Sequence, residues 1–127
     1  MIRLKEIAHG RSGDKGDHAN IGIIAYTPAG HAFLERELTA GRVMDWFHAL
    51  RPSRAERYVL PKLHAFNFVL RDVLGGGASD SLRTDTQGKV LATALLEMPF
   101  EDPENIADMR PAGDGPAGDS GAGKERP

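Results

Sequence analysis

Residues 9–26 read HGRSGDKGDHANIGIIAY, and the fold turns on how this stretch is understood. Its second half, NIGIIAY (20–26), is an apolar run of strand length, and Ile21, Ile23 and Ile24 put apolar side chains on both of its faces. That is the pattern of a central, buried strand. The preceding run, IRLKEIA (2–8), alternates roughly, with Ile2, Leu4 and Ala8 on one side, and reads as a second strand. Between them, residues 9–22 concentrate glycine, aspartate, arginine, lysine and histidine. Such a segment is either a long turn between two strands or a cradle for a ligand.

Working outward, Pro28 opens a helical stretch at a position where its missing N–H costs nothing. Gly41 is a break point, with Thr39 available to cap a second segment that carries Val43, Met44, Phe47 and Leu50 on one stripe. Pro52 ends it, and AERYVL (55–60) reads as a third strand. After Pro61, the positions Leu63, Phe66, Val69, Leu70, Val73 and Leu74 recur at 3.6-residue spacing. They predict a helix that ends at the triple glycine 75–77. A short strand near SLRTD (81–85) follows, and Asp85 is placed to cap a last helix with Val90, Leu91, Ala94, Leu95 and Met98 on one face. About four strands and two or three helices on one face imply an α+β two-layer sandwich.

From Pro111 onward no large apolar side chain occurs, and Pro, Gly, Ala and Asp dominate. Burial cannot offset the ordering entropy of such a segment, so the chain divides into a folded domain, 1–100, and a disordered tail, 101–127. Ile106 and Met109, at helical spacing, remain able to dock on the core or on a partner.

Composition removes whole classes of function. With 16 Lys and Arg against 18 Asp and Glu, there is no basic surplus for nucleic acid and no cationic stripe for a membrane surface. The absence of cysteine excludes disulfides, thiolate metal sites and a cysteine nucleophile, and fits a reducing cytoplasm. No run approaches the length of a membrane span, and the first residues lack the apolar core of a signal peptide.

The chemistry candidates centre on the 9–22 segment. Gly10, Gly13, Gly16 and Gly22 match neither a dinucleotide fingerprint nor a P-loop. Interleaved with Arg11, Ser12 and Lys15, they suit a nest of backbone N–H groups around an anion. Asp14, Asp17, His18 and His9 offer a weaker metal reading, which we set aside because no recurring ligand spacing supports it. Asn67, inside an apolar stripe, is either a buried amide bonded to backbone or a group that steers a ligand. The triple glycine Gly75, Gly76 and Gly77 is either a helix cap with a turn or a place of close approach. His31, His48 and His64 read as surface or boundary residues, and Trp46 as core or interface. No serine lies in a nucleophile elbow.

Three segments in order, RSGDKGDHANIGIIAY, LPKLHAFNFVLRDVLGGG and SLRTDTQGKVLATALLEMP, resemble the AtuA-like domain of the acyclic terpene utilization family over about residues 3–99. Arg11 to Asp17, Asn20 and Gly22 match the first motif. Leu60, Pro61, Leu63, Asn67, Phe68, Val69 and Gly75 to Gly77 match the second, and Ser81, Leu82, Arg83, Asp85, Gln87, Gly88 and Lys89 the third. Tyr26 and Lys62 depart from it, where a basic residue and an asparagine are frequent. The resemblance implies a ferredoxin-like module in its separate small-chain form, partnered with a larger AtuA-domain protein and tied to catabolism of acyclic terpenoids and branched acyl-CoA compounds.

Two functional expectations follow. In the first, the chain is an accessory subunit with no cofactor of its own. Arg11, Ser12, Gly13, Asp14, Lys15, Gly16, Asp17, Asn20, Asn67, Gly75, Gly76, Gly77, Ser81 and Arg83 then form a partner-facing surface or half-site for an acyl-CoA, whose phosphates suit Arg11 and Lys15. In the second, the chain is a homo-oligomeric hydratase or lyase with Asp14 or Asp17 as general base and Lys15 or Arg11 stabilising an oxyanion. A structural role through homo-oligomerisation is a third possibility.

Overall fold

The segment that reads as a loop is a β-hairpin. In the computed structural model, which describes residues 1–73 and 91–111, strand β2 (Ala8–Lys15) pairs antiparallel with β3 (His18–Ala25) over its whole length, from Ala8 opposite Ala25 to Lys15 opposite His18. Gly16 and Asp17 make the two-residue turn, and Gly16 has φ +63°, the left-handed value that a type II′ turn needs at its first position. A strand alternates the direction of its N–H groups, so the expected anion nest is not formed. The metal reading also dissolves. His9 stacks on Tyr26 at one end of the hairpin, and His18 sits at the other, where its Nδ1 accepts the Asp72 N–H at 3.2 Å.

The first strand is shorter than expected. Residues Ile2–Arg3 form β1, Leu4–Glu6 make one turn of 3₁₀-helix, and β2 starts at Ala8. The chain then caps α1 (Pro28–Glu37) with Thr27, whose Oγ1 accepts the Gly30 N–H at 3.0 Å. Helix α2 (Ala40–Trp46) is capped in the same way by Thr39, with the Arg42 N–H at 3.1 Å. The break falls at Leu38–Thr39, and Gly41 lies inside α2. The capping side chain, rather than the glycine, sets the boundary. Strand β4 (Arg54–Leu60) leads through a 3₁₀ turn at Pro61–Leu63 into β5 (Ala65–Arg71).

Over Ala65–Arg71, β5 stands where a helix is expected. Phe66, Phe68 and Leu70 are fully buried, while Asn67, Val69 and Arg71 between them are half-exposed, and Leu63 is 65% exposed. The burial period is two, not 3.6. Pairing on both sides, with β3 and β4, supplies the hydrogen bonds that make the strand the better solution.

Among the described residues the sheet order is β2-β3-β5-β4, all antiparallel. A second, two-stranded ladder pairs β1 with β6 (Pro99–Phe100). Ala19, Ile21, Ile23, Phe66, Phe68 and Leu70 form the sheet's share of the core. Phe33, Leu34, Leu38, Val43 and Phe47 from α1, α2 and the residues that end them cover it, together with Leu91, Ala92 and Leu95 of the 91–95 helix. Ala94, expected on that inner face, is exposed and Ala92 takes its place; Trp46 donates its Nε1–H to the Ala94 carbonyl at 3.1 Å. The core runs past residue 100, since Met109, in the short helix Ile106–Met109, is buried. The expected strand at 81–85 and the tail beyond residue 111 lie outside the described residues. The result is the ferredoxin-like α+β sandwich, with helices on one face of the sheet. Among the described residues no helix is long and apolar enough to cross a membrane.

His31 corrects an expectation of surface placement. It is buried in α1, stacked on Phe66 at 4.7 Å, with its Nε2 lacking a hydrogen-bond partner among the described residues.

Candidate functional site

Strand alternation sends every second residue to the sheet face opposite the helices. Register places these residues in rows across the four strands. One row runs Arg11, Gly22, Asn67, Tyr58; the next runs Gly13, Asn20, Val69, Glu56. Neighbouring strands lie about 4.8 Å apart, so Arg11 and Asn67 flank the bare backbone of Gly22 across about 10 Å. Within the two rows Arg11, Asn20 and Asn67 each stand beside a glycine.

The outcome is a shallow depression of about 430 Å³ lined by Arg11, Ser12, Gly13, Asp14, Asn20, Gly22 and Asn67. It joins the first sequence motif to the second, with 44 residues of chain between Gly22 and Asn67. Among the described residues, the side chains of Arg11, Asn20 and Asn67 make no hydrogen bond or ion pair. Asn67 is therefore neither helical nor a buried amide bonded to backbone; it stands half-exposed on β5 beside the hairpin.

Other expected site residues fall elsewhere. Ser12 contributes to the rim, but its Oγ accepts the Ala92 N–H at 3.1 Å, which fastens the first turn of the 91–95 helix to β2. Asp14 is exposed near the hairpin tip and Asp17 is exposed in the turn itself, neither in an enclosed pocket. Lys15 ends β2 opposite His18, and Gly16 serves the turn. Gly75, Gly76, Gly77, Ser81 and Arg83 lie outside the described residues.

Sequence reasoning missed the charged end of this face. Glu56 accepts hydrogen bonds from Arg54, from Arg71 at 3.0 Å and from the Tyr58 hydroxyl at 2.9 Å. The signal was present in RAERYVL, where Arg54, Glu56 and Tyr58 alternate at strand period. Arg71 above all, then Arg54 and Tyr58, hold the Glu56 carboxyl down from 4.5 to about 2, and the same Glu56 bond pushes the Tyr58 hydroxyl up. A depressed carboxyl contributes stability that is present above its unfolded pKa and disappears as pH falls through the folded value. The network should therefore survive mild acid. In a carbon-detected NMR titration, the Glu56 carboxyl should change near pH 2, and a midpoint close to 4.5 would show that the network is absent in solution.

A family model described as the AtuA ferredoxin-like domain matches residues 2–101. No curated protein and no solved structure matches the chain. The matched span takes in the whole four-stranded sheet, the helices α1, α2 and 91–95, and the β1–β6 ladder. With its motif residues in register on that sheet and most of its length matched, the chain belongs to the AtuA ferredoxin-like domain family.

Proposed function

We propose that this domain is the small subunit or accessory module of a larger AtuA-type protein acting in the catabolism of acyclic terpenoids or branched acyl-CoA compounds. The sheet face that carries Arg11, Asn20 and Asn67 meets the partner and contributes half of a site. One observation carries this reading: two motifs far apart in sequence place polar side chains that have no partner among the described residues in a single depression on a face that no described helix covers. Polar side chains left unpaired on a rigid sheet suit a surface completed by something else.

The stand-alone hydratase or lyase fares worse. A general base needs a site that excludes water, and Asp14 and Asp17 stand exposed on and beside an open hairpin. An acyl-CoA remains a candidate for the shared site, and the isolated chain is expected to bind CoA thioesters poorly because half of that site is missing.

Co-expression with the larger AtuA-domain protein should give a complex that stays together on size exclusion. Arg11→Glu with Val69→Arg, both on the sheet face away from the core, should abolish the complex while the circular dichroism of the chain is unchanged. Clean separation of the two wild-type proteins would sink the reading.

A further inference from the structure

The four glycines of the hairpin differ in what the chain requires of them. Gly16 supplies a left-handed φ. Gly10 supplies room: a Cβ there would stand 2.7 Å from the Gly22 carbonyl oxygen and 2.8 Å from Ile23 Cδ1. Gly13 and Gly22 do neither. A Cβ at Gly13 meets no heavy atom within 4 Å, and one at Gly22 meets only the Arg11 carbonyl oxygen, at 3.8 Å. Neither glycine has a positive φ. A glycine inside a strand is unfavourable next to any residue with a side chain, and it often marks a place where another group comes close to the backbone. Here the missing side chains leave the hollow that Arg11, Asn20 and Asn67 surround.

The donors around that hollow define a class of ligand. Arg11 presents a guanidinium fork, the geometric match of a carboxylate. Asn20 and Asn67 each add two N–H donors and one carbonyl acceptor. Among the described lining residues Arg11 alone turns a formal charge toward the hollow, since Asp14 pairs with Ala19 on the opposite face, and a single guanidinium leaves a dianionic phosphate poorly balanced. Strand geometry also denies a phosphate the converging backbone amides on which phosphate loops depend. A singly charged, planar anion suits the cradle better.

We infer that Arg11, Asn20 and Asn67, over a floor of Gly13 and Gly22, bind a carboxylate. This rests on the reading of the open sheet face as the functional one and specifies what that face takes. The carboxylate belongs either to a small organic acid or to an Asp or Glu side chain of a polypeptide.

Amide-detected NMR of the full chain tests this with three probes: isovalerate, a blocked Ala-Glu-Ala peptide and inorganic phosphate. One of the two carboxylates should move the side-chain amides of Asn20 and Asn67 and the backbone amides of Gly13 and Gly22 to saturation. The tighter of the two identifies the source. Arg11→Gln should weaken that binding about ten-fold or more. Gly22→Val, which fills the floor with a residue at home in a strand, should do the same; if it does not fold, Arg11→Gln decides alone. The inference is overturned if neither carboxylate gives a saturable shift up to about 50 mM, a concentration that reaches even very weak sites. It is equally overturned if phosphate binds the same amides more tightly, or if Arg11→Gln binds like the wild type. The outcome is separable from the subunit reading: a stable complex with no carboxylate response removes this inference only, and a carboxylate response without a complex removes that reading only.

Discussion

Phe68→Ala is expected to destabilise the domain by roughly 3–5 kcal/mol, the usual cost of truncating a fully buried phenylalanine. Phe68 lies on β5, at the centre of the sheet, with no exposure, and its ring packs near that of Phe66 at 6.5 Å. A domain of this size has a total stability of about 5–15 kcal/mol, so the loss should approach unfolding at physiological temperature. Val69→Ala, one residue on, should cost about 1 kcal/mol or less, because that side chain is half-exposed on the opposite face. Urea denaturation of both variants measures the pair. Similar losses at the two positions would contradict the strand register on which the whole candidate site depends.

Gly10→Ala is expected to produce the second large effect, a destabilisation of about 1–3 kcal/mol by overpacking. The new Cβ meets a backbone oxygen at 2.7 Å, and backbone in the middle of a ladder can yield only by breaking the β2–β3 pairing around Gly22 and Ile23. Gly22→Ala, on the facing strand, should leave stability unchanged or raise it slightly, because the position has room and the unfolded chain loses freedom. Thermal melts of the two variants separate a glycine required by packing from one that the fold does not need. Equal melting temperatures would undo that distinction and, with it, the case that Gly22 is bare for a ligand.

The contrast between the helices and the strands shows where the chain is readable. Pro28 and Thr39 act within one turn of where they stand, and both helix starts were legible from those residues alone. The run AFNFVLRDV (65–73) satisfies two periods at once: Phe66, Val69, Leu70 and Val73 at helical spacing, and Phe66, Phe68 and Leu70 at strand spacing. Its choice is made by β3 and β4, which lie far away in sequence, and no local count contains that information. Strand β2 was hidden for a different reason. AHGRSGDK has low strand propensity and is held extended by a partner of full length, although Gly16–Asp17 is a two-residue hairpin signal. Arg11, Asn20 and Asn67 were each named from their motifs, yet their meeting depends on register, which only the folded sheet supplies.

Asn20, Gly22 and Asn67 each stand in the chain directly next to residues anchored in the core. Asn67 lies between Phe66 and Phe68, and Gly22 between Ile21 and Ile23. Folding the hydrophobic layer therefore sets the positions of these backbones before any guest arrives, so that binding has side chains, and little backbone, left to order. The same alternation separates two kinds of change. Substitutions on the outward positions can exchange one recognition chemistry for another without disturbing the packed layer beneath, so a single scaffold of this shape can serve different guests.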